Sequence, residues 1–273
     1  MKQYLKLNKS SSVLQHPAGI SDRTVVLKAL ILFAQKNSME LILPEFLLSG
    51  IHQTNNKGHI RSYLSEYYDF SKVLAHHELI TLCFDPQPTD GLIVLIDLPH
   101  RPSHHVQDYH FYENQLAVGG GWNSVLIPYT QEIKDLTKKF RYQLPKELCT
   151  VKWRRGDKLT EDPTHLNGEK FSRKDYNGIT SPSNLIKTFD KLYAFKDIYL
   201  LTNAQKDKDP AIEQLQNNEK YKFHFAFEND EMMEIQKQDN YKLFCIERQM
   251  ETINCPDCWP IEFEELRDCY YDK

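Results

Sequence analysis

Apolar residues along this chain fall into short runs separated by polar, loop-forming stretches, the order that alternating strands and helices produce. Ala18-Gly19-Ile20-Ser21-Asp22-Arg23 leads into Thr24 to Asn37. The apolar positions of that stretch cover so much of a helical surface that they predict a nearly buried helix, capped by Ser21 or Asp22. Leu41-Ile42-Leu43, stopped by Pro44, predicts a short strand. Arg61 to Phe70 reads as an amphipathic segment, and Gly91 to Asp97 holds an uninterrupted apolar run, the pattern of a parallel strand covered on both faces. From Pro99 to Asn123 the periodicity is lost, which predicts a long irregular connection containing four histidines and the Gly119-Gly120-Gly121 triplet.

Regular patterning resumes with a charged amphipathic helix from Thr130 to Tyr142 and a strand from Leu148 to Trp153. A polar loop from Arg154 to Ser181 follows, then a helix near Ser183 to Leu192 and a strand from Asp197 to Leu201. The remaining turns of the pattern are a helix around Pro210 to Asn217, a strand from Tyr221 to Phe227 and a helix from Asp239 to Met250. Strand, loop and helix in repetition are the signature of the α/β class. They predict two Rossmann-like domains, residues 1–125 and 126–273.

At 273 residues the chain is long enough for two cores, and 40% hydrophobic with 26% charged residues excludes collagen-like and wholly disordered chains. A net charge of −4 is too small in either sense to predict an electrostatic nucleic-acid or membrane binder. Six scattered cysteines do not make a disulfide scaffold. No membrane-spanning or signal-peptide apolar core is present in the sequence, and the expected compartment is the cytoplasm.

The segment richest in chemistry is Val151-Lys152-Trp153-Arg154-Arg155-Gly156-Asp157-Lys158, where an apolar strand ends in two guanidinium groups. Ligands of open α/β sheets bind at the carboxyl ends of strands. An arginine there can hold two phosphate oxygens in its planar fork and stabilise the charge on a departing diphosphate. The competing reading is a surface Arg-Arg pair, with Asp157 tying one arginine into a structural ion pair.

These residues resemble the Arg-Arg-Gly/Thr-Asp motif of the GDP-fucose-dependent fucosyltransferases, the α1,6- and protein O-fucosyltransferase group of GT-B fold. Gly19 to Pro44 is similar to that group's N-terminal loop, helix and Leu-Pro-ended strand. Tyr67-Tyr68-Asp69-Phe70 resembles its aromatic-Asp motif, and Tyr199-Leu200-Leu201-Thr202-Asn203 its strand ending beside the nucleotide. The matches fall in family order over most of the chain.

The resemblance implies a GT-B-like pair of domains with a cleft between them. It also implies transfer of L-fucose from GDP-fucose to a glycan or protein hydroxyl, with inversion and without a metal or other cofactor. It assigns Arg154 to the donor β-phosphate and makes Arg155 structural or secondary, with Asp157 fixing the arginine loop. Asp239 accepts from the guanine edge, and Thr202 and Asn203 line the nucleotide side. The loop Gly19, Ile20, Ser21, Asp22 and Arg23 faces the sugar and diphosphate, with Asp22 the candidate catalytic base. Lys152 stands where the family usually has a histidine and supplies positive charge. Thr252-Ile253-Asn254-Cys255-Pro256-Asp257-Cys258 stands where it has a Ser-Ser or Ser-Thr phosphate loop, leaving Thr252 as a donor there. Two alternatives stay open: another nucleotide sugar such as UDP-xylose, and a non-catalytic nucleotide- or glycan-binding module.

Other patterns carry less. Cys255 and Cys258 form one CxxC, half of a zinc site. Asp207-Lys208-Asp209 spells the manganese signature of a different glycosyltransferase fold, but its lysine-rich setting predicts a solvated loop. No P-loop and no Gly-x-Gly-x-x-Gly is present in the sequence.

Overall fold

The computed structural model describes residues 1–16, 18–49, 60–62, 64–75, 78–100, 108–119, 125–156, 159, 164–166, 169–192 and 195–253. The chain divides into two units, one of Met1–Ile133 with Asp239–Tyr241, the other of Lys134–Gln238 with Lys242–Lys273. Each is α/β and built on a parallel sheet, the Rossmann-like class expected from the strand and helix alternation.

In the first unit the sheet order is β3-β2-β1-β4, with β1 Lys2–Leu7, β2 Glu40–Ile42, β3 Leu82–Cys83 and β4 Gly91–Ile96. All three pairings are parallel, with Leu5 opposite both Leu41 and Val94. Helix α1, Ile20–Lys36, connects β1 to β2 and packs on β2 and on α2, Asp108–Leu116. Val26, Leu27, Leu30, Ile31 and Ala34 are essentially inaccessible, as the broad apolar face of this helix predicts. Fully burying each large aliphatic contributes roughly 1.5–3 kcal/mol, so α1 anchors the unit.

The central strand β1 is not among the elements that the apolar pattern predicts, because Lys2 and Lys6 interrupt its apolar residues; its signal is the buried set Tyr4, Leu5 and Leu7. The N-cap of α1 is Gly19, so Ser21 and Asp22 lie inside its first turn. Strand β4 is not covered on both faces: Leu92 is 48% and Leu95 58% exposed. A groove of about 410 Å³ lined by Lys6, Gln87, Pro88, Thr89, Ile93 and Leu95 lies beside it, and no expected site residue reaches it. Residues Arg61 to Phe70 do not form one amphipathic element but a strand, Ile60–Ser62, and short 3-10 turns, Leu64–Glu66 and Phe70–Lys72. The stretch read as wholly irregular contains α2.

In the second unit the order is β5-β6-β7: Leu148–Lys152, Asp197–Leu201 and Lys222–His224, again all parallel. Helix α3, Gln131–Arg141, precedes β5 in the chain, and α4 Arg173–Ile179, α5 Pro182–Leu192, α6 Pro210–Gln216, α7 Asp230–Gln238 and α8 Asn240–Ile253 follow it. Strand β6 is the central one, and Ile198 to Leu201 are all buried. Ile198 and Leu200 join a cluster with Phe189 of α5 and Ala211, Ile212 and Leu215 of α6. Tyr199 points the other way, its hydroxyl 4.0 Å from Met232 Sδ of α7 and 3.0 Å from Glu247 Oε1 of α8. A strand covered on both faces must be apolar throughout, and Asp197-Ile-Tyr-Leu-Leu is so after its first residue. The polar stretch 154–181 is not a plain loop: it contains an antiparallel hairpin, Thr164–Leu166 with Glu169–Phe171, and α4.

Candidate functional site

The site is built around the carboxyl end of β5. Backbone pairing runs one residue past the strand, Trp153 N–H donating to Leu201 O at 2.8 Å, and stops where the two arginines begin. Consecutive residues of extended chain point opposite ways. Arg155 therefore turns inward and is 3% exposed, while Arg154 turns out and is exposed.

Arg155 spends its whole donor fork inside the protein. Its Nε donates to Asp209 Oδ2 at 2.7 Å and its Nη2 to Asp209 Oδ1 at 3.2 Å, a bidentate pair. Its Nη1 donates to the Thr180 carbonyl and hydroxyl at 2.9 and 3.0 Å, and its Nη2 also to Asn177 Oδ1 at 2.7 Å. The guanidinium carbon lies 5.1 Å from the centre of the Trp153 ring. Five N–H groups thus find five acceptor contacts, which is what allows a guanidinium to be buried.

This arrangement corrects one expectation. Asp209 is not a solvated loop carboxylate held by neighbouring lysines: it is 8% exposed, accepts both Arg155 bonds and caps α6 through Ala211 N–H at 3.1 Å. Asp157, expected to fix the arginine loop, lies outside the described residues, as do Asn254, Cys255 and Cys258.

The loop after β6 meets the arginine loop directly. Asn203 Oδ1 accepts from the backbone N–H groups of Arg155 (3.2 Å) and Gly156 (3.0 Å). A Cβ at position 156 would run into the Asn203 carbonyl oxygen, so only glycine permits this approach. Thr202 Oγ1 accepts from Ala204 N–H at 3.0 Å, a local turn. Lys152 is the exposed last residue of β5. The second unit thus brings Lys152, Arg154, Arg155, Thr202 and Asn203 together at two adjacent strand ends. Thr252 falls in the last turn of α8, and its side chain is outside the described residues.

In the first unit, Gly19 to Arg23 form the entry to α1, whose ladder starts with Arg23 N–H to Gly19 O at 3.1 Å. Asp22 is partly exposed in the first turn, where the helix dipole favours a carboxylate. Arg23 is enclosed, 1% exposed: its Nη2 donates to His16 O, its guanidinium carbon sits 5.3 Å from the Phe46 ring centre, and its Nε has no hydrogen-bond partner. Burial pushes its pKa down from the ordinary arginine value.

Asp239 clusters with this unit. Its carboxylate accepts from Tyr67 OH at 3.2 Å and from Tyr241 N–H at 3.0 Å, the second bond starting α8. Tyr241 OH donates to Ser49 O at 2.8 Å, and burial, with Asp22 and Asp239 nearby, pushes its pKa up to about 12. Tyr67 belongs to the aromatic motif singled out in the sequence, and Tyr67, Tyr68 and Phe70 are all buried while Asp69 caps the following turn through Ser71 N–H.

Sequence reasoning missed Tyr176, Asn177, Thr180 and Asp209 as the surroundings of the arginines. The Asp209-Pro210 pair does signal a helix start, but nothing in the chain order couples that cap to a residue 54 positions earlier. Among the described residues, no group of three or more His, Cys, Asp or Glu is placed to hold a metal ion, and no helix is long and apolar enough to cross a membrane.

No protein-family model matches the chain, and no curated protein is similar to it in sequence. Among solved structures the chain is similar to POFUT1 in complex with GDP-fucose, at 9% identity and a TM-score of 0.46, over 92% of this chain and 95% of that one. It is similar also to POFUT1 in complex with GDP, at 10% identity and a TM-score of 0.44, over 90% of this chain and 87% of that one.

Proposed function

We propose that this chain is a glycosyltransferase that moves L-fucose from GDP-fucose to a hydroxyl of a glycan or protein, inverting the anomeric centre without a metal. The observation that carries the reading is the division of labour at the end of β5: Arg155 is buried and saturated and fixes the backbone next to Arg154, which is exposed. The resemblance of Val151 to Lys158 to the fucosyltransferase motif points the same way.

In this reading Arg154 binds the donor β-phosphate and stabilises the negative charge that grows on GDP as the sugar leaves, taking the part a metal plays elsewhere. Lys152 and Thr202 add positive charge and a hydroxyl at the same strand ends. In the first unit, Asp239 takes the guanine edge: a carboxylate accepts from the N1–H and N2–H donors that uracil lacks, and Tyr67 OH and the Tyr241 amide hold it in place. Asp22 is assigned the proton of the acceptor hydroxyl, a carboxylate in reach of solvent at the start of α1.

The test is the thermal unfolding midpoint measured with GDP, UDP, CMP and ADP at matched concentration, since a ligand of the folded state stabilises it by RT ln(1 + [L]/Kd). At a hundredfold excess over Kd this reaches about 2.7 kcal/mol, and GDP alone is expected to give it. A shift with UDP alone overturns the donor, and no shift with any nucleotide overturns the reading.

A further inference from the structure

We infer that Tyr176 and Asn203 are positioning residues that aim Arg154, an assignment that rests on the reading of Arg154 as the diphosphate-binding group. The two peptide groups that follow the Arg154 Cα are held from different elements. Tyr176, in α4 and 1% exposed, donates its hydroxyl to the Arg154 carbonyl at 2.7 Å. Asn203, after β6, takes the N–H groups of residues 155 and 156 on its single side-chain oxygen. The Arg155 side chain is fixed by Asp209, Thr180 and Asn177. The exposed Arg154 side chain is thereby rooted in backbone that is held at its own carbonyl and through the two residues that follow.

The chemistry explains why these residue types stand here. A strand end that must present a charge to a ligand cannot continue its ladder, so the carbonyl of 154 and the amides of 155 and 156 need acceptors and donors from side chains. A buried tyrosine reaches a carbonyl across the width of its ring, and a side-chain amide oxygen, with two lone pairs, can accept two adjacent amides at once. Gly156 completes the device by letting the two loops touch. Tyr176 is enclosed, and its hydroxyl bears on a bound nucleotide through the Arg154 peptide. Asn203, which sequence resemblance placed on the nucleotide side, here serves that same peptide.

The experiment compares the affinities of GDP and GMP by calorimetry, because the preference for GDP reports the β-phosphate contact and is insensitive to a general loss of stability. Y176F and N203A are each expected to reduce that preference by about three- to tenfold while GMP affinity stays within about twofold. Y221F, which removes the hydroxyl of another buried tyrosine of the same unit, bonded to Asp190 at 2.7 Å, is expected to leave it unchanged. In an R154A background neither Y176F nor N203A is expected to lower the preference further, which separates aiming of Arg154 from direct contact with phosphate. If R154A abolishes the preference but Y176F and N203A leave it intact, or if Y221F lowers it equally, the positioning role is wrong and the reading of Arg154 stands. A preference untouched by R154A refutes both. Should Y176F fail to fold, N203A at its exposed position decides between the same outcomes.

Discussion

Glu247 lies in α8 beneath the central strand of the second unit, 8% exposed, with its Oε1 accepting from Tyr199 OH at 3.0 Å. Burial raises its pKa from the ordinary 4.5 to about 8, opposed only by the tyrosine bond. The neutral acid is therefore the form the fold favours, whereas the unfolded chain gives up the proton above about pH 4.5. Stability from this group is therefore fully present below pH 4.5 and is lost as pH rises towards 8. Each pH unit in that window removes about 1.4 kcal/mol, so the whole interval is worth roughly 4–5 kcal/mol, a large share of a typical domain's stability. Glu247→Gln keeps an acceptor for Tyr199 and removes the titration, at a fixed cost for burying an amide NH2. Urea midpoints at pH 4.5, 6, 7 and 8 are expected to show the parent chain more stable than the variant at the acid end and less stable at pH 8. Parallel curves for the two proteins across this range would refute the argument, because every other titrating group is common to both.

Asp209→Ala strips the counter-charge from a buried guanidinium and is expected to cost about 3–5 kcal/mol, read as a fall in the urea midpoint; a loss below about 1 kcal/mol contradicts the buried bidentate pair. Gly156→Ala forces a methyl against the Asn203 backbone and is expected to cost about 1–3 kcal/mol and to weaken GDP binding in step, whereas an unchanged midpoint means the two loops do not touch. Arg154→Ala, at an exposed position, is expected to leave stability within about 0.5 kcal/mol, so that circular dichroism melts superimpose on those of the parent.

The fold was legible wherever burial and periodicity coincide. The helix now called α1 and the strands β2, β5 and β6 follow from apolar runs that tolerate no other placement. Strand β1 was not, since its two lysines share a face with the buried Tyr4 and the strand's central position is decided by partners 36 and more residues away. The site divides in the same manner. That an arginine pair follows a buried strand is written in sequence, and so is the glycine after it. Which arginine turns inward depends on where Asp209, Thr180 and Asn177 arrive, and those contacts span 22 to 54 residues. Asp239 illustrates the limit most plainly: chain order put it in the second half, and its contacts put it with Tyr67.

The central claim is that Arg154 holds a nucleoside diphosphate at the end of β5. Titration of GDP and GMP into the parent chain and into R154A tests it without any need for an acceptor. A charge-assisted hydrogen bond contributes about 1.5–3 kcal/mol, which is a preference of roughly ten- to a hundredfold for GDP over GMP. The account predicts that preference in the parent and its disappearance in R154A; GDP bound equally well by both proteins, or no more tightly than GMP by the parent, would contradict it.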